Sequence, residues 1–439
     1  MSRDKRRHPI LKSLGLIFLA FLLYFTGKAL LWGRWSAQSR TPLPRVELSA
    51  EEAFADGILT PEEIAVHYAP EVHAAVNVLI SASGKGDFIS AVDFDGDWAA
   101  DNNWEYMASF PLKATVYWSV QETDTHYFVG YCFYHPRDDA EIWLDKHEND
   151  FEGIMLCVPR AENAFLPPVC MYTQGHGGVP FYGDGLTAEA GSRLAGGLAL
   201  DGDRPVIYIT PNGTLSHAGH SIESAAGHSL YWSVGDSGIR YYYGGEAQVP
   251  LTFKGAYTDN PCSYALEPLS TLWNRRGGPY GPGQTFGEYA AFNGDNYEKN
   301  AANPAWGWRN KTEFGYRGSF LSDPAWTFSR AIRELSLSPA YTLNPYADWR
   351  LTVTAVSAPE GAEIASLRLL QDGWTLSSPA WWHLTPEGEG RWTVEIAGEA
   401  RQTLWIAAPA ESVWKVEAID TAENAVNGAE VEWEAVYLD

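Results

Sequence analysis

A series of short β-branched and aromatic segments begins near residue 112, and it constrains the fold more than any other feature of the chain. "KATVYWSVQ", "THYFVGYCFYH" and "RPVIYITPNG" are three of these segments, and Gly, Asp, Asn and Pro separate them from their neighbours. Such segments are typical of antiparallel strands joined by tight turns. The 41 Gly, 26 Pro and 14% aromatic residues also favour strands over a helical bundle. The sequence therefore predicts a mainly β protein, an antiparallel β-sandwich with decorating loops and short helices.

A second group of strand-like segments begins at Trp349, after a change of character around Pro345. "RLTVTAVSA", "RWTVEIAG" and "VWKVEAID" have the spacing of a smaller sandwich. The segment "VEAIDTAENAV" resembles the closing strand and turn of bacterial immunoglobulin-like repeats. We therefore predict a β-sandwich domain over residues 58–345 and an immunoglobulin-like β-sandwich over residues 346–439.

The N-terminus combines basic residues with an apolar stretch. An uninterrupted apolar run covers residues 14–27, and residues 10–32 would span a bilayer if Lys28 snorkels to the interface. These features predict a signal anchor, with a transmembrane helix in residues 1–33 and a tether over residues 34–57. By the positive-inside rule, the body of the protein is expected on the extracytoplasmic side, periplasmic or extracellular.

The charge distribution excludes one class of partner. The chain carries a formal net charge of −24, although its first 45 residues hold nine Lys and Arg against one acid. The rest of the protein is therefore more acidic still, with a net charge of −32. Such a body repels the phosphates of nucleic acids, so we expect no nucleic-acid binding. An anionic partner would need a bridging cation.

The densest group of acids lies in "FYHPRDDAEIWLDKHENDFEG", residues 133–153. Because side chains alternate along a strand, Asp150 and Glu152 would lie on one face of the second strand, with His147 just before them. Asp138 would end the neighbouring antiparallel strand beside that point. Carboxylates at such short range cost stability unless a positive charge lies among them. The segment therefore indicates a divalent cation, although acids solvated in a loop are the plainer alternative.

The residue types also bear on the identity of the cation. Ligation by several oxygens and one imidazole favours Ca²⁺ or Mg²⁺, with Mn²⁺ also suitable, over Zn²⁺ or Cu²⁺. Fe²⁺ stays open. The chain has no C-x-x-C sequence, which makes a zinc site built on cysteines a poor explanation.

The four cysteines leave two alternatives open. They are Cys132, Cys157, Cys170 and Cys262. An even number in an exported protein is compatible with one or two disulfides. Their apolar, strand-like neighbours are at least as compatible with free buried thiols.

Two parts of the acidic segment resemble the paired motifs of the necrosis-inducing (NPP-type) secreted cytolysins. In that family an aromatic-Tyr-x-Pro-x-Asp segment precedes Gly-His-x-His-Asp-Trp-Glu, and "FYHPRD" and "HENDFEG" stand in these places here. The resemblance implies that four residues hold a divalent cation, namely Asp138, His147, Asp150 and Glu152. This chain departs from the motif at three positions, which are Lys146, Asn149 and Phe151.

Further motifs resemble the vacuolar protein sorting-associated protein 62 family. "IAVHYAPEV", "VDFDGDWAADNNWE" and "RPVIYITPNGTLSHAGH" are similar to its patterns, and "YTQGHGG" resembles a segment of the cytolysins. In order, the motifs extend over roughly residues 60–330, so the chain resembles a bacterial-type member of this group. Three histidines in these Gly-rich loops are expected to contact a ligand or to support the metal ligands, namely His176, His217 and His220.

The resemblance implies binding of a head group without turnover. We therefore expect an exported, membrane-anchored protein that binds a divalent cation and engages an anionic lipid or glycan head group. Two other functions stay open. The cation could activate water in a hydrolase of phosphoesters or glycans, so whether the protein is an enzyme is undecided. Alternatively, the cation could only stabilise the hairpin of a structural envelope protein.

Overall fold

A computed structural model describes most of the chain. The described residues are 9–35, 40–77, 84–139, 146–175, 180–212, 219–225, 236–251, 260–296, 302–308, 316–335, 337, 340–377, 382–396 and 403–438. Strands in several sheets dominate, which confirms the prediction of a mainly β protein.

The helices are short apart from the first. They are α1 (Pro9–Trp35), α2 (Ala50–Ala53), α3 (Pro61–His67), α4 (Asn103–Tyr106), α5 (Ser270–Trp273), α6 (Ser319–Ser322) and α7 (Pro324–Ala331). Local sequence signals set the start of α3. Thr60 Oγ1 accepts a hydrogen bond from Glu63 N, and the Glu63 carboxylate accepts one from Thr60 N, with Pro61 in the first turn.

The strands of the first two thirds of the chain are β1 (Glu71–Asn77), β2 (Thr115–Thr123), β3 (His126–Asp138), β4 (His147–Pro159), β5 (Cys170–Gln174), β6 (Phe181–Tyr182), β7 (Leu194–Gly196), β8 (Leu200–Asp201), β9 (Arg204–Ile209), β10 (Ile222–Ser224), β11 (Asp236–Tyr243), β12 (Pro261–Pro268), β13 (Phe286–Glu288) and β14 (Ala291–Phe292). The last third contributes β15 (Tyr341–Leu343), β16 (Trp349–Ser357), β17 (Ser366–Gln371), β18 (Trp374–Thr375), β19 (Trp382–Gly388), β20 (Arg391–Ile396), β21 (Thr403–Ile406), β22 (Trp414–Ile419) and β23 (Glu430–Tyr437).

The expected transmembrane helix and signal anchor are not supported. Residues Pro9–Trp35 do form a helix. Within the part of the chain that the structure describes, however, no helix combines the length and the apolarity needed to cross a bilayer. The physical reason lies in the apolar run over residues 14–27, which is shorter than the ~20 apolar residues that a spanning helix needs. The prediction of a membrane anchor was wrong, and extracytoplasmic placement of the body stays a prediction.

Much of the segment predicted as a tether packs against the body of the protein. Val46 N donates a hydrogen bond to Tyr243 O at 3.0 Å, and Tyr242 Oη donates to Leu43 O at 2.8 Å. Arg204 donates to Val46 O at 2.9 Å. The described residues of this segment therefore pack against the C-terminal end of β11 and the start of β9.

One large sheet carries most of the strands. Its order is β10-β9-β1-β11-β12-β2-β3-β4-β5-β6-β7, with β8 paired to β9 and β15 paired to β2. The central pairs β2–β3, β3–β4 and β4–β5 are antiparallel. The pairs β1–β9, β11–β12 and β12–β2 are parallel, so the sheet is mixed, whereas the sequence predicted antiparallel strands alone.

The large sheet is buried on both faces, which explains why its central strands are apolar at almost every position. On β4, Ile154 and Leu156 belong to one core, together with Ile207 of β9 and Ile239 of β11. Since β4 and β9 lie far apart in the strand order, the sheet curls and packs its own ends against each other. Met155 faces a second core on the opposite side.

The second core is closed by the aromatic stretch that follows α5. Phe286, Trp306, Phe320 and Phe328 are all buried in it. Trp308 of this stretch donates a hydrogen bond from Nε1 to a β4 backbone oxygen at 3.1 Å. The aromatic side chains therefore form a core layer that packs on β4 from outside the sheet.

The C-terminal strands form two smaller sheets. One has the order β19-β20-β16-β21, with β23 paired to β16, and the other has the order β18-β17-β22. Leu351 and Val353 of the first sheet share a core with Leu367 and Leu369 of the second. This arrangement has the two packed layers of a small sandwich, while the domain boundaries stay a prediction.

The four cysteines are free and buried in the structure. Burial raises the pKa of the Cys262 thiol to about 12, although Arg40 opposes this shift. Of the two alternatives that the sequence left open, the structure shows free thiols.

A buried carboxylate joins the segments after α5 and between β13 and β14 to the C-terminal sandwich. The side chain of Asp348 is 2% exposed. It accepts hydrogen bonds from Arg276 Nε at 3.1 Å and from Ala408 N at 3.0 Å, and a further one from Tyr289 Oη. A carboxylate buried in this way is stable only while its partners remain.

We expect Asp348→Ala to lower the free energy of unfolding by about 3–5 kcal/mol, because it leaves a partly buried guanidinium without its counter-charge. Chemical denaturation measures this loss. Glu189→Ala is the control, since it breaks an exposed ion pair with Arg333 at 3.0 Å and should leave stability unchanged. Equal losses in the two variants would contradict a special role for Asp348.

Candidate metal centre

The register of β3 and β4 sets the positions of the acidic segment. Asp138 pairs with His147, and His135 pairs with Asp150. Asp150 therefore shares a strand face with Glu152 and with the apolar residues of one core. The point at which β3 ends and β4 begins brings side chains of both strands together.

Three side chains converge at this point. One ligand atom each from Asp138, Asp150 and His220 can be chosen so that all three atoms lie within 4.8 Å of one another. Their residues are 1%, 2% and 0% exposed. Two of them, Asp138 and Asp150, are ligands predicted from the sequence. His220, which the sequence placed in a supporting role, completes the group.

The imidazole of His220 lies between two carboxylates. Its Nδ1 is 2.7 Å from Asp150 Oδ2, and its Nε2 is 3.2 Å from Asp87 Oδ1. Burial alone would lower the pKa of His220, but the hydrogen bonds to Asp150 and Asp87 and the charge of Asp138 outweigh it and raise that pKa well above its ordinary value. These contacts favour the protonated ring, and His220 would have to release one ring proton, with the carboxylate contact of that nitrogen, before it could ligate a cation.

The other predicted site residues have different surroundings. His147 is buried and its Nδ1 lies 2.8 Å from Asn149 O. Glu152 is 1% exposed, and a Cβ on Gly175 would lie 3.1 Å from its Oε1. Neither belongs to the group of three, and their role as ligands stays a prediction. His176 and His217 lie outside the described residues.

A glycine lets the loop backbone approach the site. A methyl group on Gly219 would overlap the Asp138 carboxylate. The next residue, His220, has a φ of 45°, which is in the left-handed region that non-glycine residues rarely adopt. The loop is therefore shaped so that its backbone contacts one carboxylate while its imidazole contacts the other.

Asn149 explains one departure from the cytolysin motif. Its Oδ1 accepts hydrogen bonds from Tyr134 Oη at 2.5 Å and from Asn103 at 3.2 Å, while its Nδ2 donates to Ala100 O and Asn293 O. An amide can accept and donate at once, which a buried site with partners of both kinds requires. Asn149 is 1% exposed with a φ of 56°, and it ties two loops to the start of β4.

Glu148 also connects the start of β4 to the same two loops. Its carboxylate accepts hydrogen bonds from Trp104 N at 2.8 Å and from Asp295 N at 3.1 Å. Burial raises the pKa of Glu148, although these two backbone hydrogen bonds oppose the shift. This acid of the crowded segment therefore holds loops and does not belong to the group of three.

Sequence reasoning missed three buried residues around the site, namely Asp87, His135 and Asn212. His135 stacks on His220 with ring centroids 3.9 Å apart and planes 5° apart. Burial lowers the pKa of His135 well below its ordinary value, and the neighbouring His220 adds to this effect. Alternation on β3 could have placed His135 beside Asp150. No local pattern marks Asp87 or Asn212.

The donor set suits a hard divalent cation. Two of the three donors are carboxylates, the ligand type that Ca²⁺, Mg²⁺ and Mn²⁺ prefer, and the group offers no thiolate. Gly219 lies so close to the Asp138 carboxylate that a side chain at this position would overlap it. The structure thus contains a buried group of acids and a histidine that could hold a metal ion.

Comparisons with known proteins give a partial likeness. No protein-family model matches the sequence, and no curated protein matches it. A solved structure described as "Toxin fold as basis for microbial attack and plant defense" is 13% identical, with 62% of this chain and 91% of that chain covered and a TM-score of 0.27. "NLPPya in complex with mannosamine" is 16% identical, with 53% and 80% covered and a TM-score of 0.24.

These structural neighbours are toxin-fold proteins of the necrosis-inducing type, as one of the two predicted resemblances implies. The resemblance to the vacuolar protein sorting-associated protein 62 family is not shown. Because the TM-scores are below 0.5, these likenesses say nothing about function, and the proposed function is inferred from the geometry of the site.

We expect Gly219→Ala to weaken cation binding while the protein stays folded, because the added methyl group displaces the Asp138 carboxylate. The loss should be roughly 10–100-fold in affinity, as for other changes that misplace a ligand. Titration calorimetry with Ca²⁺ and Mn²⁺ measures it. The matched control is Gly196→Ala, whose methyl group meets nothing within 4 Å. Equal affinities in the two variants would contradict the position assigned to Asp138.

Proposed function

We propose that this chain is an exported β protein that binds a divalent cation and uses it to engage an anionic lipid or glycan head group. The observation that carries the proposal is the convergence of Asp138, Asp150 and His220 in a buried cluster. The predicted ligands His147 and Glu152 complete the proposed site. Ca²⁺ or Mg²⁺ is the preferred ion, and Mn²⁺ is also suitable.

The overall charge supports a bridging role for the cation. The protein has a net charge of −24, so its surface repels an anionic ligand at long range. A cation held by the cluster would give that ligand a local positive partner. The same ion would also offset the repulsion among the buried carboxylates.

The immediate surroundings supply groups that suit a head group. Asp139 pairs with Arg137 at 3.0 Å and with Lys146 at 2.6 Å. The Arg137 guanidinium lies 4.3 Å from the centre of the Trp104 ring. Two cationic side chains therefore contact Asp139, the residue after Asp138, and the indole packs on one of them. Such groups bind phosphates, carboxylates and sugar rings.

We expect Asp150→Asn to abolish the binding of Ca²⁺, Mg²⁺ and Mn²⁺ in titration calorimetry, because the amide keeps the shape of the side chain and removes the charge. Asp203→Asn is the control, since Asp203 also contacts a histidine, His67, at 3.1 Å but lies elsewhere. Wild-type protein that bound none of the three ions would refute the proposal.

A second experiment tests the ligand. Phosphatidylcholine vesicles with and without phosphatidylinositol, and a panel of soluble glycans, are incubated with the protein in Ca²⁺. We expect binding to one of these ligand classes that EDTA reverses and Asp150→Asn prevents. Release of a phosphate or sugar product would favour the hydrolase. A lower melting temperature in EDTA with no effect on any ligand would favour the structural envelope protein.

A further inference from the structure

A chain of hydrogen bonds links the strands that carry the two candidate ligands. Asp150 contacts His220, and His220 contacts Asp87. Asn212 N donates to the same Asp87 oxygen at 2.5 Å. Asn212 Oδ1 then accepts a hydrogen bond from Asp139 N at 2.6 Å. The chain starts on β4 and returns to the residue that follows the end of β3.

These hydrogen bonds connect segments that are far apart in the sequence. Asp87 ends the 3₁₀ helix Lys85–Asp87, and the residues that follow this helix are attached to β3 by the hydrogen bond from Ser90 N to Tyr134 O at 2.9 Å. Asn212 lies after β9. Asp87 and Asn212 are 1% and 0% exposed. A buried group that loses its partner costs more than an ordinary hydrogen bond contributes, so each link constrains the next.

The hydrogen bonds fix the orientation of the Asp150 carboxylate. Oδ2 of Asp150 contacts His220, and Oδ1 accepts a hydrogen bond from Phe151 N at 3.0 Å. Each carboxylate oxygen has a second lone pair that can still face a cation. The His220 ring is held in turn by Asp87 on one nitrogen and by the stacked ring of His135 on its face.

Asn212 has a further feature that matters for its role. It begins the sequence Asn-Gly-Thr, which is an acceptor for N-glycans only where the amide is exposed. Here the residue is fully buried and its Oδ1 is used in the hydrogen-bond chain. A Cβ on Gly86 would lie 3.2 Å from that oxygen, so the space around the amide is already filled.

We propose that Asp87 and Asn212 are positioning residues of the cation site, which hold Asp150 and the end of β3 at the separation that one ion can bridge. The proposal rests on the proposed function, because it assigns these residues to the same cation. Neither residue has to touch the ion. Their effect is transmitted through His220 to Asp150 and through the Asp139 backbone to Asp138.

The test uses the full chain, with Mn²⁺ alone as the probe. Asp87→Asn keeps an oxygen that can accept from Asn212 N but removes the charge that holds the imidazole. Asn212→Ala removes the acceptor for Asp139 N. We expect Mn²⁺ affinity in titration calorimetry to fall roughly 10–100-fold in each variant. We also expect the electron paramagnetic resonance spectrum of bound Mn²⁺ to change, which a purely structural role would not cause.

Asp203→Asn is the matched control, since it removes an aspartate that contacts a histidine outside the site. Gly86→Ala is a milder variant that presses on Asn212 without removing a group, and it carries the test if the other two do not fold. Wild-type affinity and an unchanged spectrum in the folded variants would overturn this inference alone. Absence of Mn²⁺ binding to the wild-type protein would overturn the proposed function together with it.

Discussion

Two carboxylates buried on adjacent strands need positive charge between them, and the arrangement of the whole site follows from that need. Asp138 and Asp150 lose nearly all contact with water. The imidazole of His220 supplies a charge from a loop that is distant in sequence, and it is shared with Asp87. A divalent cation among the same groups would supply more charge than the ring alone. Positive charge from either source would let a protein that is already strongly acidic concentrate further acids at the end of a hairpin.

The surrounding fold keeps these groups in place. The central strands of the large sheet are buried on both faces, by the curl of the sheet on one side and by the aromatic stretch on the other. Strands clamped in this way cannot change register without burying polar side chains in a core. Glu148 and Asn149 then attach two loops to the start of β4. Asp138 and Asp150 of the acidic segment thus belong to the candidate metal centre, while Glu148 and Asn149 attach the neighbouring loops.

Much of this could be predicted from the sequence, because it depends on local patterns. β-branched and aromatic segments bounded by turn residues predicted the strands, and alternation together with the acids predicted that Asp138 and Asp150 would meet. The same reasoning gave His220 too small a role, since a histidine in a Gly-rich loop carries no information about which strand it contacts. Asp87 and Asn212 could not be predicted at all, because no spacing relates them to β4. The anchor prediction failed for a different reason, since an apolar run was extended across a lysine to reach the length of a bilayer.

The sequence by itself determined the mainly β class, the two groups of strands and the acidic hairpin, because strand composition and turn chemistry act over a few residues. Only the tertiary structure decided that the large sheet is mixed, that it curls, and that a loop histidine enters between the carboxylates. These features depend on contacts between segments separated by tens to more than a hundred residues. Their free energy comes from burial and charge pairing in the folded chain, and no local pattern contains it.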